Sequence, residues 1–545
     1  VSINEQSGAA ARMRPDVVVP RSMGQILAAL PAGLPPVQLV GGGDNDDGAA
    51  SITGVTIDSR EVLRGDLYIA VPGTGRHGAD FTAQAVAEGA SAVLTDDAGL
   101  ETAAAALRGT GIPLYRAAPV RDYVGPLAAV VFDSQPPRDR PILFGVTGTN
   151  GKTTTTYFLN ALSAALGLST GLIGTIEIRA GDTAIPSALT TPESPQVHGI
   201  LALMRERGIE AAAMEVSSHA VEYRRVDGVQ FDVVGFTNLT QDHLDLHGTM
   251  DEYFDAKAAL FSRNRADRAV IIVDDEWGRR LARRTDLETV TLSVSGGSPA
   301  DWMVSGISRV GLGHAFTLEG PAGEELVLRC GLPGIFNVAN AALAAVMVLA
   351  TGTTCQDLQR AAELHDPFTT EVPGRMQLIG ENPAAIVDFA HNPDALALTL
   401  ESVRVPQADS RLLIVFGATG QRDVSKRPVM GATAARLADV VIITDDDPHD
   451  EDEAVIRAGV LEGAQGAKDA ENLSCEILEI FPRAAAIDQA VALARKGDIV
   501  LVAGRGHEVW QEVKGVNLPL DDRAELAAAL TRHGFSALSG NRIES

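Results

Sequence analysis

The chain has 545 residues, which at ~150 residues per domain implies three or four domains. Lys and Arg number 45 against 71 Asp and Glu, a net charge of −26; so acidic a chain repels phosphate backbones, and no nucleic-acid partner is expected. A composition of 45% hydrophobic and 21% charged residues excludes global disorder, and 4% aromatics favours Ala-rich helices on strands over an aromatic-cored sandwich.

In chain order, the residues before about 45 are polar and rich in Pro and Gly in patches. They end in GGGDNDDG (41–48), a frayed start or surface loop. Arg12 and Arg14 precede no apolar segment, so no secretory signal is expected. From Val55 the pattern turns to strand, turn, helix: GDLYIAVPG (65–73), FTAQAVAEGA (81–90), SAVLTDD (91–97). Such alternation predicts α/β. SQPPRDRP (134–141) reads as a linker. The strand ILFGVTG (142–148), a Gly/Thr loop and a helix over 154–167 follow. Further strands are expected at 211–217, 232–239 and 269–275, and an Ala-rich helix at 337–351. A second boundary falls near HDPFTTEVPGR (365–375). Beyond it, AAIVDFA (384–390), RLLIVFGATG (411–420), DVVIITDDDP (439–448) and DIVLVAG (498–504) are near-continuous β-branched runs, the mark of buried parallel strands.

The expected fold class is therefore α/β with three domains. A smaller N-terminal α/β domain covers 1–138, a central parallel-sheet domain of P-loop type, on its strand, Gly/Thr loop and helix, covers 139–372, and a Rossmann-like domain covers 373–545. Cys330, Cys355 and Cys475 are far apart and form no CxxC. That argues against a disulfide framework or zinc knuckle and for a reducing, cytoplasmic location. The longest apolar run, Ala341 to Ala350, is too short to span a bilayer, so no membrane insertion is expected.

The strongest motif is Gly148-Thr149-Asn150-Gly151-Lys152-Thr153-Thr154, between a buried strand and a helix. Glycines let backbone N–H groups curl round phosphate, Lys152 offsets charge, and the Thr153 hydroxyl can ligate Mg²⁺. The strict GxxxxGK[ST] pattern fails by one residue, because its first Gly falls on Val146. Gly73-x-Gly75-x-x-Gly78, with Asp96 and Asp97 further on, matches a dinucleotide fingerprint, but Pro72 and the polar RHGAD tail suggest a loop. Glu215 ends the strand AAAMEV, where a carboxylate beside a phosphate loop can hold Mg²⁺; a strand-end surface charge is the plainer alternative. The run 236–261 holds Asp242, His243, Asp245, His247 and Lys257. His243 and His247 have i, i+4 spacing, which raises zinc, but with no HExxH and no cysteine nearby a second hard-cation position using His243 is favoured. Lys257 by itself reads as a helix-surface lysine.

In the last third, Asp388 ends a strand, and Asn392-Pro393 reads as an N-cap and first helical residue. Arg422, Lys426 and Arg427, then Asp445-Asp446-Asp447-Pro448, then Gly504-Arg505-Gly506-His507-Glu508 follow successive strands. Polar clusters at successive carboxyl ends describe a crevice. Its mixed charge suits a ligand carrying both amine and carboxylate.

These segments resemble the Mur ligase family. GTNGKTT, MEVSSHA, NLTQDHLDLHG with FDAKAALF, and DFAHNPDAL fall in that family's order and spacing over nearly the whole chain. DSREVLRGDLYIAVPG and Thr190-Thr191 in LTTPES are most similar to members that add a diamino acid to UDP-N-acetylmuramoyl-L-Ala-D-Glu. The resemblance implies a monomeric enzyme acting on small molecules, with ATP and Mg²⁺ as cofactors. Ser59 would hold the uridine nucleotide, and Thr190, Thr191, Ser217 and Arg225 the muramoyl dipeptide. The loop from Gly148 to Thr154, with Asn337, Asn340, Arg375 and Asp388, would hold ATP. Thr153 and Glu215 would hold one Mg²⁺, and His243 and Lys257 a second metal, with Lys257 expected as N6-carboxylysine. Arg422, Asp446, Asp447, His449, Gly504 and Glu508 would bind the amino acid.

The resemblance also implies a mechanism in which ATP phosphorylates the D-Glu γ-carboxylate and an amine then displaces phosphate. The base for that amine is not identifiable from the residues. Family members using meso-diaminopimelate carry Asp-Asn-Pro-Arg where this chain has Asp446-Asp447-Pro448-His449, followed by Asp450, Glu451 and Asp452. One cation fewer and one anion more favour a distal ammonium. L-lysine is therefore expected, with ornithine possible and meso-diaminopimelate as the alternative. Rival readings are a folylpolyglutamate-type ligase, a P-loop kinase or NTPase, and a nucleotide-binding scaffold.

Overall fold

The structure is a computed structural model that describes residues 13–42, 51–73, 75–404 and 410–538. The start of the chain to residue 12 and the predicted loop from 43 onward lie outside the described residues. Three main sheets follow one another along the chain. The first has five strands in the order Gln38–Gly41, Leu114–Arg116, Ala92–Thr95, Asp66–Ala70, Gly54–Thr56, parallel except for the first.

The second sheet has eleven strands. At its centre Ala211–Glu215, Ile142–Thr147, Phe231–Phe236 and Ala266–Ile272 run parallel. These strands are nearly all apolar and have helices on both faces, as buried parallel strands require. Gly145 and Gly235 let neighbours close in: a Cβ on either would fall within 3 Å of Phe231 or Met347. The Ala-rich helix Ile335–Leu349 is buried along most of its length and packs against the helix Lys152–Ala165. Each fully buried Leu, Val or Met there contributes about 1.5–3 kcal/mol. The same sheet continues into an antiparallel ribbon, Trp302–Val310, Gly313–Glu319, Glu325–Cys330. The sequence pattern did not suggest this ribbon, because exposed Met303, Val310 and Val327 put apolar residues on its open face and blur the alternation.

The third sheet has the order Gln377–Glu381, Ala384–Asp388, Ile499–Ala503, Leu412–Phe416, Val440–Ile443, Glu476–Glu479. All but its first pairing are parallel. The expected strand runs are present, each trimmed by a few residues where the polar strand ends turn into loops. Asn392 caps the helix Pro393–Val403, its side chain accepting from the Ala395 amide. A small hairpin, Trp510–Val513 with Val516–Pro519, was not anticipated. Its strands lean on the loop after Val440–Ile443 through a parallel bridge between His449 and Val513. Among the described residues no helix is long and apolar enough to cross a membrane.

Candidate active site

The Gly/Thr loop leaves the central strand at Thr147 and enters the helix at Lys152. Gly151, at φ +91°, makes the turn, and a Cβ there would lie 2.3 Å from Asn340 Oδ1. No side chain caps this helix, so its first amides face outward as an anion site. The loop is held from below. The Asn150 amide donates to Asn238 Oδ1 at 3.1 Å, and Thr149 Oγ1 donates to the Thr240 carbonyl and meets the Tyr253 hydroxyl, both at 3.2 Å. Lys152 Nζ donates to the Gly148 and Thr149 carbonyls at 2.9 Å, and burial lowers its pKa. Thr154 is buried within the same helix turn.

Glu215, 1% exposed at the end of its strand, gathers hydroxyls and an amide. Thr153 Oγ1 donates to it at 2.9 Å, and the Thr175 amide and hydroxyl donate at 2.7 and 3.0 Å. The Thr175 hydroxyl also meets Thr190 Oγ1 at 3.1 Å. Thr191 Oγ1 donates to the Glu215 carbonyl. Ser217 caps the helix Ser218–Glu222. Arg225 donates to Glu193 at 2.8 Å and to the Thr191 carbonyl.

Lys257 is not the surface lysine its sequence alone suggested. It is 1% exposed and donates to the Gly148 carbonyl at 2.8 Å. Burial, then the nearby Lys152, push its pKa well down. His243 precedes a short helix with φ +52°, and burial lowers its pKa to about 3. His219 stands 4.8 Å from His243 and 6.1 Å from His247, ring centre to ring centre; the sequence reading had not singled out His219. Among the described residues no three His, Cys, Asp or Glu side chains converge as a metal cluster. Asn337 and Asn340 are buried on the Ala-rich helix, and their side chains bond each other at 3.1 Å.

The first sheet meets this region across a cavity of about 510 Å³ lined by Ser59, Arg60, Tyr68, Phe81 and, from the start of the helix Ser194–Glu206, Glu193 and Gln196. Ser59 Oγ donates to Gln84 there. Gly73 and Gly78 line the same cavity, with Pro72 bridged to His77. Asp96 is engaged by His77, and Asp97 by Arg116. The lone dinucleotide match thus falls in a loop, with both carboxylates committed elsewhere.

The third sheet approaches from the other side. Arg375 Nη2 donates to Thr153 Oγ1 at 3.2 Å, and its guanidinium lies 4.1 Å from the Phe389 ring centre. Asp388 holds this turn, accepting from the Met376 and Ala390 amides and from Thr399. The crevice at the carboxyl strand ends gathers Asp446, Asp447, Gly504 and Glu508, as the sequence suggested. Buried Arg505 pairs with Asp447. A Cβ on Gly504 would lie 2.5 Å from Asp446 Oδ2, a buried oxygen with no partner within the chain. Burial pushes Glu508 up to about 8, with Arg505 opposing and Asp447 adding. His449 Nδ1 lies 3.0 Å from Glu512 Oε2, and buried Arg427 grips Glu451 with two bonds of 2.7 Å. Arg422 lies in the loop after Phe416 that borders this crevice.

Sequence comparison matches three family descriptions in order: "Mur ligase family, catalytic domain" over 51–124, "Mur ligase middle domain" over 146–348, and "Mur ligase, glutamate ligase domain" over 374–506. The chain is 45% identical over 488 residues to a Streptomyces coelicolor UDP-N-acetylmuramoyl-L-alanyl-D-glutamate--2,6-diaminopimelate ligase, covering 89% of this chain and 94% of that one. It is 42% identical over 525 residues to a UDP-N-acetylmuramyl-tripeptide synthetase of Leifsonia xyli subsp. xyli, covering 96% and 98%. A solved UDP-N-acetylmuramoyl-L-alanyl-D-glutamate--2,6-diaminopimelate ligase superposes with a TM-score of 0.60 at 30% identity, covering 89% and 96%. The matches run through all three sheets, whereas a kinase or NTPase reading has no use for the third. With family matches along the first, second and third sheets and relatives at 42% and 45% identity over most of the chain, the chain belongs to the Mur ligase family of ATP-dependent amide ligases.

Proposed function

We propose that the protein joins a diamino acid to the D-Glu of UDP-N-acetylmuramoyl-L-Ala-D-Glu, with ATP as the energy source, in peptidoglycan precursor synthesis. The observation that supports this reading is the Arg375–Thr153 contact at 3.2 Å, which joins the nucleotide loop to the turn before the first strand of the third sheet, the sheet whose carboxyl ends carry the proposed amino-acid residues. The names of the relatives supply the substrate class.

Lys152 and the loop amides offset charge on the ATP phosphates and orient the terminal one. Ser59 and the cavity around it take the uridine nucleotide, and Thr190, Thr191, Ser217 and Arg225 the dipeptide part. Asn337, Asn340 and Asp388 frame the nucleotide. Arg375 adds a cation from the opposite side as the γ-carboxylate becomes an acyl phosphate. The amino acid lies among Arg422, Asp446, Asp447, His449, Gly504 and Glu508, and closure of the domains on the bound substrates keeps water from the acyl phosphate. Mg²⁺ fits the hard oxygen donors of Thr153 and Glu215, and a second ion fits His243 with a carbamate on Lys257. A neutral buried amine is the form of lysine that adds carbon dioxide, and the lowered pKa of Lys257 supports that modification. When bound, the metal would offset charge on the phosphoryl group.

For the diamino acid, relatives at 41–45% identity carrying the diaminopimelate name favour 2,6-diaminopimelate over the L-lysine expected from charge. The charge count had ignored pairing. Arg505 sits on Asp447 and Arg427 on Glu451, so those carboxylates are not free to repel a second carboxylate. One observation keeps L-lysine or ornithine as a second reading: His449, at the position of the family's Arg, is tied to the carboxylate of Glu512. The test is phosphate release from ATP with the dipeptide substrate and each of meso-diaminopimelate, L-lysine and L-ornithine, with products identified by mass spectrometry. Tripeptide with diaminopimelate supports the first reading, and tripeptide with lysine or ornithine alone supports the second. Release that needs no amino acid overturns both.

A further inference from the structure

His507 is a buried ring in this region to which the ligase reading gives no role. Its main chain runs against Gly374, where a Cβ would lie 2.1 Å from the His507 amide nitrogen. Gly506, at φ +57°, makes the turn before it. Two glycines thus let the segment press inward, and the ring lies 5.4 Å from that of Phe389, centre to centre. There it interacts with the main chain of Thr175, in the bend between the strands Thr170–Ile173 and Glu177–Ala180. Thr175 is the residue that binds Glu215 and touches Thr190. From the loop after the strand Ile499–Ala503 the ring therefore reaches the side of the cleft to which the ligase reading assigns the dipeptide.

His507 Nδ1 is buried and has no hydrogen-bond partner within the chain. Leaving such an atom unpaired costs about 1–3 kcal/mol, a cost that a ligand donor would remove. Burial first, then Arg375, Arg523 and Arg505, lower the ring's pKa to about 3, while the Thr175 carbonyl pulls the other way. The ring is therefore neutral, with one N–H and one lone pair. With Nε2 toward the Thr175 carbonyl, the lone pair sits on Nδ1.

We propose that His507 is a catalytic residue of the amide-forming step, its Nδ1 taking the proton that the attacking amine sheds and passing it to the departing phosphate. This rests on the ligase reading above. The amine lone pair forms the C–N bond at the acyl carbon, and the C=O π pair moves to oxygen. When that pair returns, the C–O bond to phosphate breaks and phosphate leaves with its electrons. The nitrogen proton moves to Nδ1 and then to a phosphate oxygen. Amine plus acyl phosphate gives amide plus hydrogen phosphate, and the ring ends neutral. Three guanidinium groups nearby make an imidazolium short-lived, which suits a relay rather than a store.

Neighbouring groups are less suited. His391 Nδ1 is engaged by the Phe389 carbonyl, and its Nε2 faces Asp242 at 3.9 Å. Glu508 lies beside Arg505 at 3.9 Å on the side that holds the amino acid. His243 belongs to the opposite wall, beside His219.

The experiment compares full-length wild type, His507→Gln and His507→Ala with two nucleophiles: the diamino acid that wild type uses, and hydroxylamine. Hydroxylamine is small and weakly basic, and it sheds its proton to water once bonded. Loss of a proton acceptor should lower kcat for tripeptide by roughly 100-fold or more, with the diamino acid KM within about three-fold. Hydroxamate formation on the dipeptide should stay within about three-fold of wild type, because acyl phosphate still forms. Tripeptide and hydroxamate falling together in both variants would show a merely structural role and overturn the proposal. So would a raised KM with kcat unchanged, or no effect at all. Absence of tripeptide from wild type with every diamino acid would overturn the ligase reading itself, and the proposal with it.

Discussion

Arg375 donates from Nη2 to the Thr153 hydroxyl across 3.2 Å, and that hydroxyl donates in turn to Glu215 at 2.9 Å. One proton-ordered chain thus links a residue of the third sheet to the strand end of the second. A charge-assisted bond of this kind is worth about 1.5–3 kcal/mol. Arg375→Ala should therefore lower kcat/KM for tripeptide formation by roughly 10- to 100-fold. Arg375→Lys should fall between, because it keeps the charge and loses the fork. Steady-state phosphate release checks both, and an unimpaired Arg375→Ala would refute the bridging role.

Gly151→Ala should damage the nucleotide loop without touching any charge. The residue sits at φ +91° with Asn340 Oδ1 2.3 Å from a Cβ, and the left-handed conformation alone costs about 1–2 kcal/mol. Affinity for a non-hydrolysed ATP analogue should fall by about ten-fold or more, while affinity for the uridine nucleotide stays as in wild type. Calorimetric titration of both ligands separates the two.

The guanidinium of Arg483 and the carboxylate of Asp522 are both 0% exposed and joined by bonds of 2.8 and 2.7 Å. Arg483 also donates to the Asp445 and Ala503 carbonyls, next to Asp446 and Gly504 of the crevice. Asp522→Ala leaves a buried cation uncompensated, at about 3–5 kcal/mol. Scanning calorimetry should show the third domain melting earlier, and the diamino acid KM should rise. A Tm equal to wild type would rule this out.

His198 gives the molecule an acid limit. The ring is 0% exposed, with Ser134 Oγ at 2.7 Å on Nδ1 and the Asp227 carbonyl at 2.9 Å on Nε2. Burial lowers its pKa from 6.5 to about 4. Between those values the unfolded chain binds more protons than the folded one, so stability rises with pH. The contribution is complete above about 6.5 and is lost as pH falls toward about 4, by up to ~3 kcal/mol at 1.36 kcal/mol per unit. His198→Asn should be less stable at pH 7 but flatter between pH 4 and 6.5 in urea-unfolding midpoints. A slope as steep as wild type would assign the acid sensitivity elsewhere.

The sequence by itself determined the α/β class, the parallel strands and the Gly-Lys-Thr loop between a strand and a helix. Continuous β-branched runs and a Gly-Lys-Thr turn carry their meaning locally, in residues a few positions apart. The antiparallel ribbon after Trp302 and the hairpin after Trp510 were not legible, because half-exposed strands lack a clean alternation. Lys257 shows what only the tertiary structure decides. Its neighbours in the chain describe a surface helix, and its burial comes from the loop at Gly148, more than a hundred residues earlier. The same holds for the acidic run after Asp445: its charges are plain in the sequence, but their partners Arg505 and Arg427 are chosen by folding. Electrostatics depends on distance in space and on burial, and neither can be read from order along the chain. That is why a count of carboxylates pointed to lysine, while pairing removed much of the repulsion on which that count relied.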